Sequence, residues 1–277
     1  ASLKQELGEG KEETFRASDF SHYYSTVKDN FTRFVTSPPK ESQAEPCNFC
    51  SKCKWREICK KEWKDEDHLS LVANIRRSQR HKLENAGIKT VKDLAQIHEE
   101  KIIPNLTRTA LLQLSDQACL QVSKRETGKS EVNILPETES RGFARLPKPD
   151  EGDLFFDMEG DPLYKEGLEY LFGFYYLVDG EWVFLPFWAH SHEEEKQIFQ
   201  EVMEFLIRHL KKYPQAYIYH YNHYEETAFK RLASRYGRKE EELDSLLRNR
   251  KFVDLYKVVR ESIRTSESGY SIKDLEV

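Results

Sequence analysis

Residues 154–162 read Leu-Phe-Phe-Asp-Met-Glu-Gly-Asp-Pro, with Asp153 just ahead of them. The apolar start reads as a buried strand, and acidic residues close it. Residues two apart on a strand share a face, so Asp157 and Glu159 point the same way. Two carboxylates side by side repel each other unless a cation lies between them. Hard divalent ions such as Mg²⁺ take oxygen ligands of this kind. A pair of such ions activates a water and stabilises the leaving oxygen of a phosphodiester. On its own an Asp-x-Glu pair is common and also serves structural ends, so its context decides.

That context is a mixed α/β pattern. Residues 169–178 (EYLFGFYYLV) and 182–188 (WVFLPFW) are aromatic strands joined at the turn Asp179-Gly180. Ser191-His-Glu-Glu194 is a capping box that opens a helix with an apolar stripe at Ile198, Phe199, Val202, Phe205, Leu206 and Leu210. Residues 216–221 (AYIYHY) form another strand, followed by a helix over about 224–236 and a charged helical segment. Phe252-Val253-Asp254-Leu255 comes last. The fold class is α/β, a mixed sheet with flanking helices in the C-terminal half, behind a mainly helical region. There is no internal repeat.

The stretches FFDMEGDP (155–162), YHYNHYEETAFKRL (219–232) and DLYKVVR…SIKDLE (254–276) resemble the RNase H-like domain of the RecB-family nuclease group. More broadly the order is similar to the RNase H-like 3′–5′ exonucleases of the DnaQ/DEDD type. The resemblance covers residues 151–277. It implies that Asp157 bridges two Mg²⁺ or Mn²⁺ ions, with Glu159 as ligand or water-positioning group. Glu225, three past Asn222, is the next implied ligand, and Asp254 is a second candidate. The last Asp of the family would fall beyond Val277, so the chain reads as a fragment with an incomplete site. Asp161 reads as a turn residue before Pro162. His220 and His223 flank Asn222 and read as hydrogen-bonded structural histidines in preference to hydrolytic ones. Tyr221 and Tyr224 offer rings for a terminal base, or for packing at a strand–helix junction.

Cys47, Cys50, Cys53 and Cys59 fall within thirteen residues, whereas Cys119 stands alone. Such clustering argues for a metal or an iron–sulfur centre in preference to disulfides. Zinc and a 4Fe–4S cluster both accept four thiolates. The spacing Cys-x2-Cys-x5-Cys, with Lys54, Trp55, Lys60, Lys61 and Trp63 around it, resembles the C-terminal iron–sulfur staple of RecB-like PD-(D/E)XK nucleases. The fourth cysteine of that family usually lies far upstream, so Cys47 departs from the pattern and the metal stays open. The resemblance makes residues 12–35 the final strand and helix of the staple-bearing domain. Phe20, Tyr23, Tyr24, Val27, Phe31 and Phe34 recur there at helical spacing.

Between these parts, Leu83 to Ala95 reads as helix, tight turn at Gly87, and a second helix capped by Thr90. It looks like a helix-hairpin-helix, whose backbone N–H groups hold a phosphate. Arg76, Arg77, Arg80, Lys82, Lys89 and Lys92 surround it. Residues 51–125 carry 16 Lys/Arg against 10 Asp/Glu, and residues 151–277 carry 17 against 25. A basic middle beside an acidic end suits a nucleic-acid grip next to a carboxylate metal site, although uneven solvated surface gives the same balance. No apolar run approaches the ~20 residues of a bilayer span, and no signal segment opens the chain. A cytoplasmic protein without a membrane partner is expected.

The segments expected are 1–65, the cysteine-bearing tail of a RecB-like nuclease domain; 66–150, a helical connector; and 151–277, the RNase H-like domain. The expected activity is metal-dependent phosphodiester hydrolysis, 3′–5′ by resemblance. DNA is the expected partner and RNA the alternative, with Arg76, Arg77, Lys89 and Tyr224 in contact and a helicase in the same polypeptide or complex. The rival reading is a non-catalytic nucleic-acid-binding module serving a neighbouring nuclease or helicase, and a third is a zinc-stapled scaffold.

Overall fold

The computed structural model describes residues 16–37, 44–98 and 100–276. The described residues fall into two compact units, within Ala1–Cys59 and Lys60–Val277. In the first, α1 (Ser21–Thr36) follows a 3₁₀ turn over Ala17–Phe20. The strand expected from residue 12 begins outside the described residues. The aromatic stripe of α1, Tyr23, Tyr24, Phe31 and Phe34 among it, is exposed. A further 3₁₀ turn, Asn48–Lys52, lies between Cys47 and Cys53, and α2 spans Arg56–Asp65.

The helical region and the sheet region share the second unit. α3 (Arg77–Asn85) and α4 (Val91–Ala95) form the expected helical hairpin. The turn between them needs Gly87, whose φ of +82° is costly for a residue with a Cβ. α5 (Arg108–Thr127) starts on the Thr107 cap and stops at Gly128 in the left-handed conformation. Leu69, Leu83, Val91, Leu94, Leu111 and Ala118 make the core of this region.

Strand β1 (Val132–Ile134) leads to β2 (Leu154–Asp161), β3 (Leu168–Val178) and β4 (Glu181–Trp188). Then come α6 (His192–Lys212), β5 (Ile218–His220), α7 (Tyr224–Tyr236) and α8 (Glu240–Arg248). The chain continues through β6 (Phe252–Asp254), α9 (Leu255–Ser262), β7 (Ile263–Thr265) and α10 (Ile272–Leu275). The main sheet has the order β4-β3-β2-β5-β6. β2–β3 and β3–β4 pair antiparallel, whereas β2–β5 and β5–β6 pair parallel. The mixed α/β sheet is thus as expected.

One face of this sheet packs on α6, α7 and α8 through Phe156, Met158, Phe172, Phe174, Phe199, Leu206 and Phe229. The capping residues of α6 differ slightly from the expected box. Ser191 Oγ accepts from Glu194 N–H at 3.2 Å, but Glu194 reaches back to His190 N–H at 2.7 Å. β2 departs from the expected buried strand. Leu154, Phe156 and Met158 are buried, and Phe155, Asp157 and Glu159 between them are exposed. Strand alternation sends the second set to the sheet's other face, which the described residues leave largely open.

The helical region is tied to the C-terminal end by pairings distant in sequence. β1 pairs antiparallel with β7, Asn133 opposite Arg264. Buried Gln117 on α5 donates to Thr265 C=O at 2.7 Å and accepts from Tyr270 Oη at 2.6 Å. Glu261 accepts from Gly142 N–H at 2.9 Å and Arg145 Nε at 2.6 Å.

Buried His209 on α6 lies 2.7 Å from the Gly152 carbonyl, among the rings of Tyr176, Phe205 and Tyr213. Burial holds its pKa below the ordinary histidine value. The unfolded chain therefore takes up a proton that the folded chain resists. Stability from this site is complete above pH ~6.5 and falls as pH drops from there toward the lower folded value. Urea unfolding from pH 7.5 to 5.5 should show that decline, and His209→Gln should flatten it. An unchanged slope in the variant would assign the pH dependence to other groups.

Candidate active site

Parallel strands bring their carboxyl ends to one sheet edge, where ligands of α/β sheets commonly lie. β2 places Asp157 and Glu159 there, β5 ends at His220, and β6 ends at Asp254, paired with His220. Asn222 turns the chain after β5 with φ +81°, a conformation asparagine tolerates. Its side-chain oxygen accepts from His223 N–H at 2.9 Å. α7 then starts, and its first turn carries Glu225, 3% exposed.

Glu225 comes close to Asp157. Although the side chain reaches solvent, partial burial raises the Asp157 pKa; the Met158 N–H, donating at 3.0 Å, opposes this, and the carboxylates of Glu225 and Glu159 raise it further. Asp157 is thus pressed by one carboxylate on its own strand and by another on α7. His220 lies beneath them, its ring wholly buried, with Nδ1 3.3 Å from Glu225 and Nε2 3.6 Å from Glu226. Burial pulls its pKa down, but those two glutamates outweigh it and push it up to about 9. His220 thus lies against the carboxylates of Glu225 and Glu226 at the start of α7.

Asp254 does other work. It caps α9, accepting from Lys257 N–H at 3.3 Å, and accepts from Asn222 N–H at 2.9 Å. Asp161 accepts from Leu163 N–H at 2.8 Å, as a turn aspartate does. Tyr221 donates to the Tyr270 carbonyl and meets the Tyr256 ring edge-on. Tyr224 donates to Glu169 at 2.9 and 3.0 Å, with its ring partly exposed.

Sequence reading passed over three neighbours of the acidic pair. Glu169 on β3 is buried and pairs with Arg231 of α7. Gly160, directly after Glu159, lies under this group; a Cβ there would sit 2.6 Å from both Glu169 Oε2 and Tyr224 Oη. Gly173 lies opposite Asp157 on β3, and a Cβ there would meet the Phe184 ring at 2.9 Å. The lone glycine inside an aromatic strand was the available signal for the last. Past Glu159 the edge opens into a shallow cavity of about 580 Å³, lined by Asp161, Tyr164, Tyr170, Trp188 and His190 among others. Trp188 stacks on Tyr170 with ring centroids 6.3 Å apart and on His190 at 6.4 Å.

Residues 154–277 match the model of the RNase_H superfamily. No curated protein and no solved structure matches the chain. The strand order and the mixed sheet give residues 154–277 an RNase H-like fold, behind a helical region. The superfamily is one of nucleic-acid-processing nucleases, which generally use divalent metals. The donor chemistry of Asp157, Glu159 and Glu225 suits such an ion, being all carboxylate oxygen. Among the described residues no three His, Cys, Asp or Glu side chains are yet gathered to hold one.

The same holds at the cysteines. Cys47 and Cys50 have sulfurs 3.9 Å apart, and Cys47 N–H donates to Cys50 Sγ at 3.3 Å, but four thiolates do not converge. In the hairpin, Arg76, Arg77 and Lys89 are exposed. The backbone groups expected to hold a phosphate are already taken. Lys89 and Thr90 N–H donate to Asp93 at 3.1 and 3.0 Å, Lys92 N–H to Asp67 at 2.9 Å. The protein's own carboxylates occupy the place of the anion, which leaves side chains alone for that grip. No helix among the described residues is long and apolar enough to cross a membrane.

Proposed function

We propose that this protein hydrolyses phosphodiester bonds of nucleic acid in a metal-dependent reaction, as a 3′–5′ exonuclease. The observation that supports the reading is the approach of Glu225 on α7 to Asp157, which shares its strand face with Glu159; burial first, and then the two glutamates, raise the Asp157 pKa. Asp157, Glu159 and Glu225 would hold Mg²⁺ or Mn²⁺. When bound, such ions supply an activated water and neutralise charge at the leaving oxygen. The chain's own residues prepare the place. His220 holds Glu225. Asp254 fixes the Asn222 turn, and so acts by positioning. Trp188 and Tyr170 offer a ring face to the terminal base. Arg76, Arg77 and Lys89 of the connector, 66–150, hold the nucleic-acid backbone electrostatically.

The test is cleavage of single-stranded DNA and RNA, labelled at either end, with Mg²⁺ or Mn²⁺ and with chelator. Metal-dependent shortening from the 3′ end is expected. A folded protein that binds these strands and never cuts them is a binding module instead.

We further propose that Cys47, Cys50, Cys53 and Cys59 hold one 4Fe–4S cluster or zinc ion, within a tail formed by residues 1–65. The density of thiolates supports this. Protein purified without oxygen should contain iron or zinc. Cys53→Ala should make residues 37–65 sensitive to limited proteolysis while residues 151–277 stay resistant. Well-folded protein free of both metals would overturn the assignment.

A further inference from the structure

The sheet face that carries Asp157 and Glu159 also carries an exposed aromatic row. Cross-strand pairing puts Phe155, Tyr175 and Phe184 side by side on β2, β3 and β4. Their exposures are 40, 45 and 56%, and Trp182, on the adjoining row, is 49% exposed. Phe155, Tyr175 and Trp182 already form ring contacts. Trp182 stacks on Tyr175 at 5.0 Å and 11°, and Phe155 lies 5.8 Å from Trp182 and 5.4 Å from Tyr219 of β5.

The next row, about 7 Å along the strands, is Asp157, Gly173 and Pro186. Gly173, directly opposite, raises no side chain beside the carboxylate, and the Phe184 ring lies over Gly173. The row after that is Glu159, Leu171 and Trp188. Asp157 therefore lies in the row between the aromatic row of Phe155 and the row that holds Glu159 and Trp188, on one face. Row spacing is of the order of the repeat of an extended single strand. Contiguous exposed apolar side chains commonly mark binding surfaces, and aromatic sheet faces accept unpaired bases by stacking.

We propose that the Phe155–Tyr175–Phe184–Trp182 face is a binding platform for at least two unpaired bases of a single strand, next to the phosphate presented to Asp157. The proposal rests on the nuclease reading and adds the place on the sheet where an unpaired strand is held. Paired bases keep their faces in the helix stack and have none to offer the platform. None of the row residues is a lysine or arginine, so affinity here comes from stacking. It depends weakly on salt, unlike a grip made by the basic connector.

The test is titration of a fluorescent twelve-residue oligothymidylate in Ca²⁺, by anisotropy, at two salt concentrations and against a duplex of equal length. Paired substitution Trp182→Leu with Phe184→Leu keeps the face apolar and removes two rings. Binding should weaken about tenfold or more, while the melting temperature and the salt slope hold. Trp182→Phe with Phe184→Tyr should restore it. Affinity unchanged in the leucine variant overturns the platform, even when the protein cleaves normally. So does equal affinity for the duplex, or a face that proves, by sizing of the variants, to be buried in self-association. Ring-dependent binding without any metal-dependent cleavage supports the platform and removes the nuclease reading instead.

Discussion

Asp157→Asn should lower the rate of metal-dependent cleavage by at least about 10²-fold, the scale of removing one principal electrostatic stabiliser. The amide has nearly the shape of the carboxylate, so Met158 N–H keeps an acceptor. What disappears is the negative charge on which Glu225 and Glu159 converge. Their mutual repulsion then eases, and the folded protein should become slightly more stable without metal. That sign separates the proposed role from a structural one, because a structural aspartate would lose stability on substitution. Measured together, single-turnover cleavage with saturating Mn²⁺ and thermal melting in chelator make the comparison. A variant that cleaves at the normal rate removes Asp157 from the reaction.

Glu195→Ala should destabilise the second unit by about 3 kcal/mol, the low end for breaking a buried ion pair. The Glu195 side chain is buried on the first turn of α6. It accepts from Glu169 N–H at 2.6 Å, from Arg235 Nη1 at 3.2 Å, and from the Tyr236 hydroxyl. One carboxylate thus joins β3, α6 and α7 just behind the loop that follows Gly160. Alanine leaves the Arg235 guanidinium, about a quarter exposed, with only the Glu166 and Gly167 carbonyls and no counter-charge, and leaves the Glu169 N–H without its acceptor. Glu195→Gln keeps an acceptor and loses only the charge, so its cost should be about half as large. Urea midpoints with unchanged m-values are the measure. A loss below about 1 kcal/mol for alanine would show that water replaces the carboxylate there.

Much of the architecture was legible along the chain because it depends on local period. Aromatic strands flank a turn at Asp179-Gly180, a serine caps α6, and Gly87 separates two short helices. Each of these is a choice made within a few residues. The acidic pair was legible for the same reason, since strand alternation alone puts Asp157 and Glu159 on one face. The contribution of Glu225 depended on a resemblance, and its proximity to Asp157 follows only from the parallel pairing of β2 with β5.

The remainder lies at separations that no local pattern encodes. Nothing near Glu169 or Glu195 marks them as buried carboxylates. Their partners, Arg231 and Arg235, stand some forty to sixty residues away on α7. The pairing of β1 with β7, which makes the connector part of the sheet-bearing unit, joins residues more than a hundred apart. The hairpin in that connector was recognised from Gly87 and Thr90. Asp93 fills two of its N–H groups from three and four residues away, a local capping box, but that Asp67 fills a third became visible only once the loops were folded against each other. Residue types and their spacing determined the secondary elements, the shared face of the acidic pair and the cysteine cluster, because backbone sterics and side-chain period act over a few residues. The tertiary structure alone decided which carboxylates meet, which charges are buried with them and which aromatic rows stay open. Those outcomes depend on strand order and helix docking, and hence on burial and electrostatics summed over the whole unit.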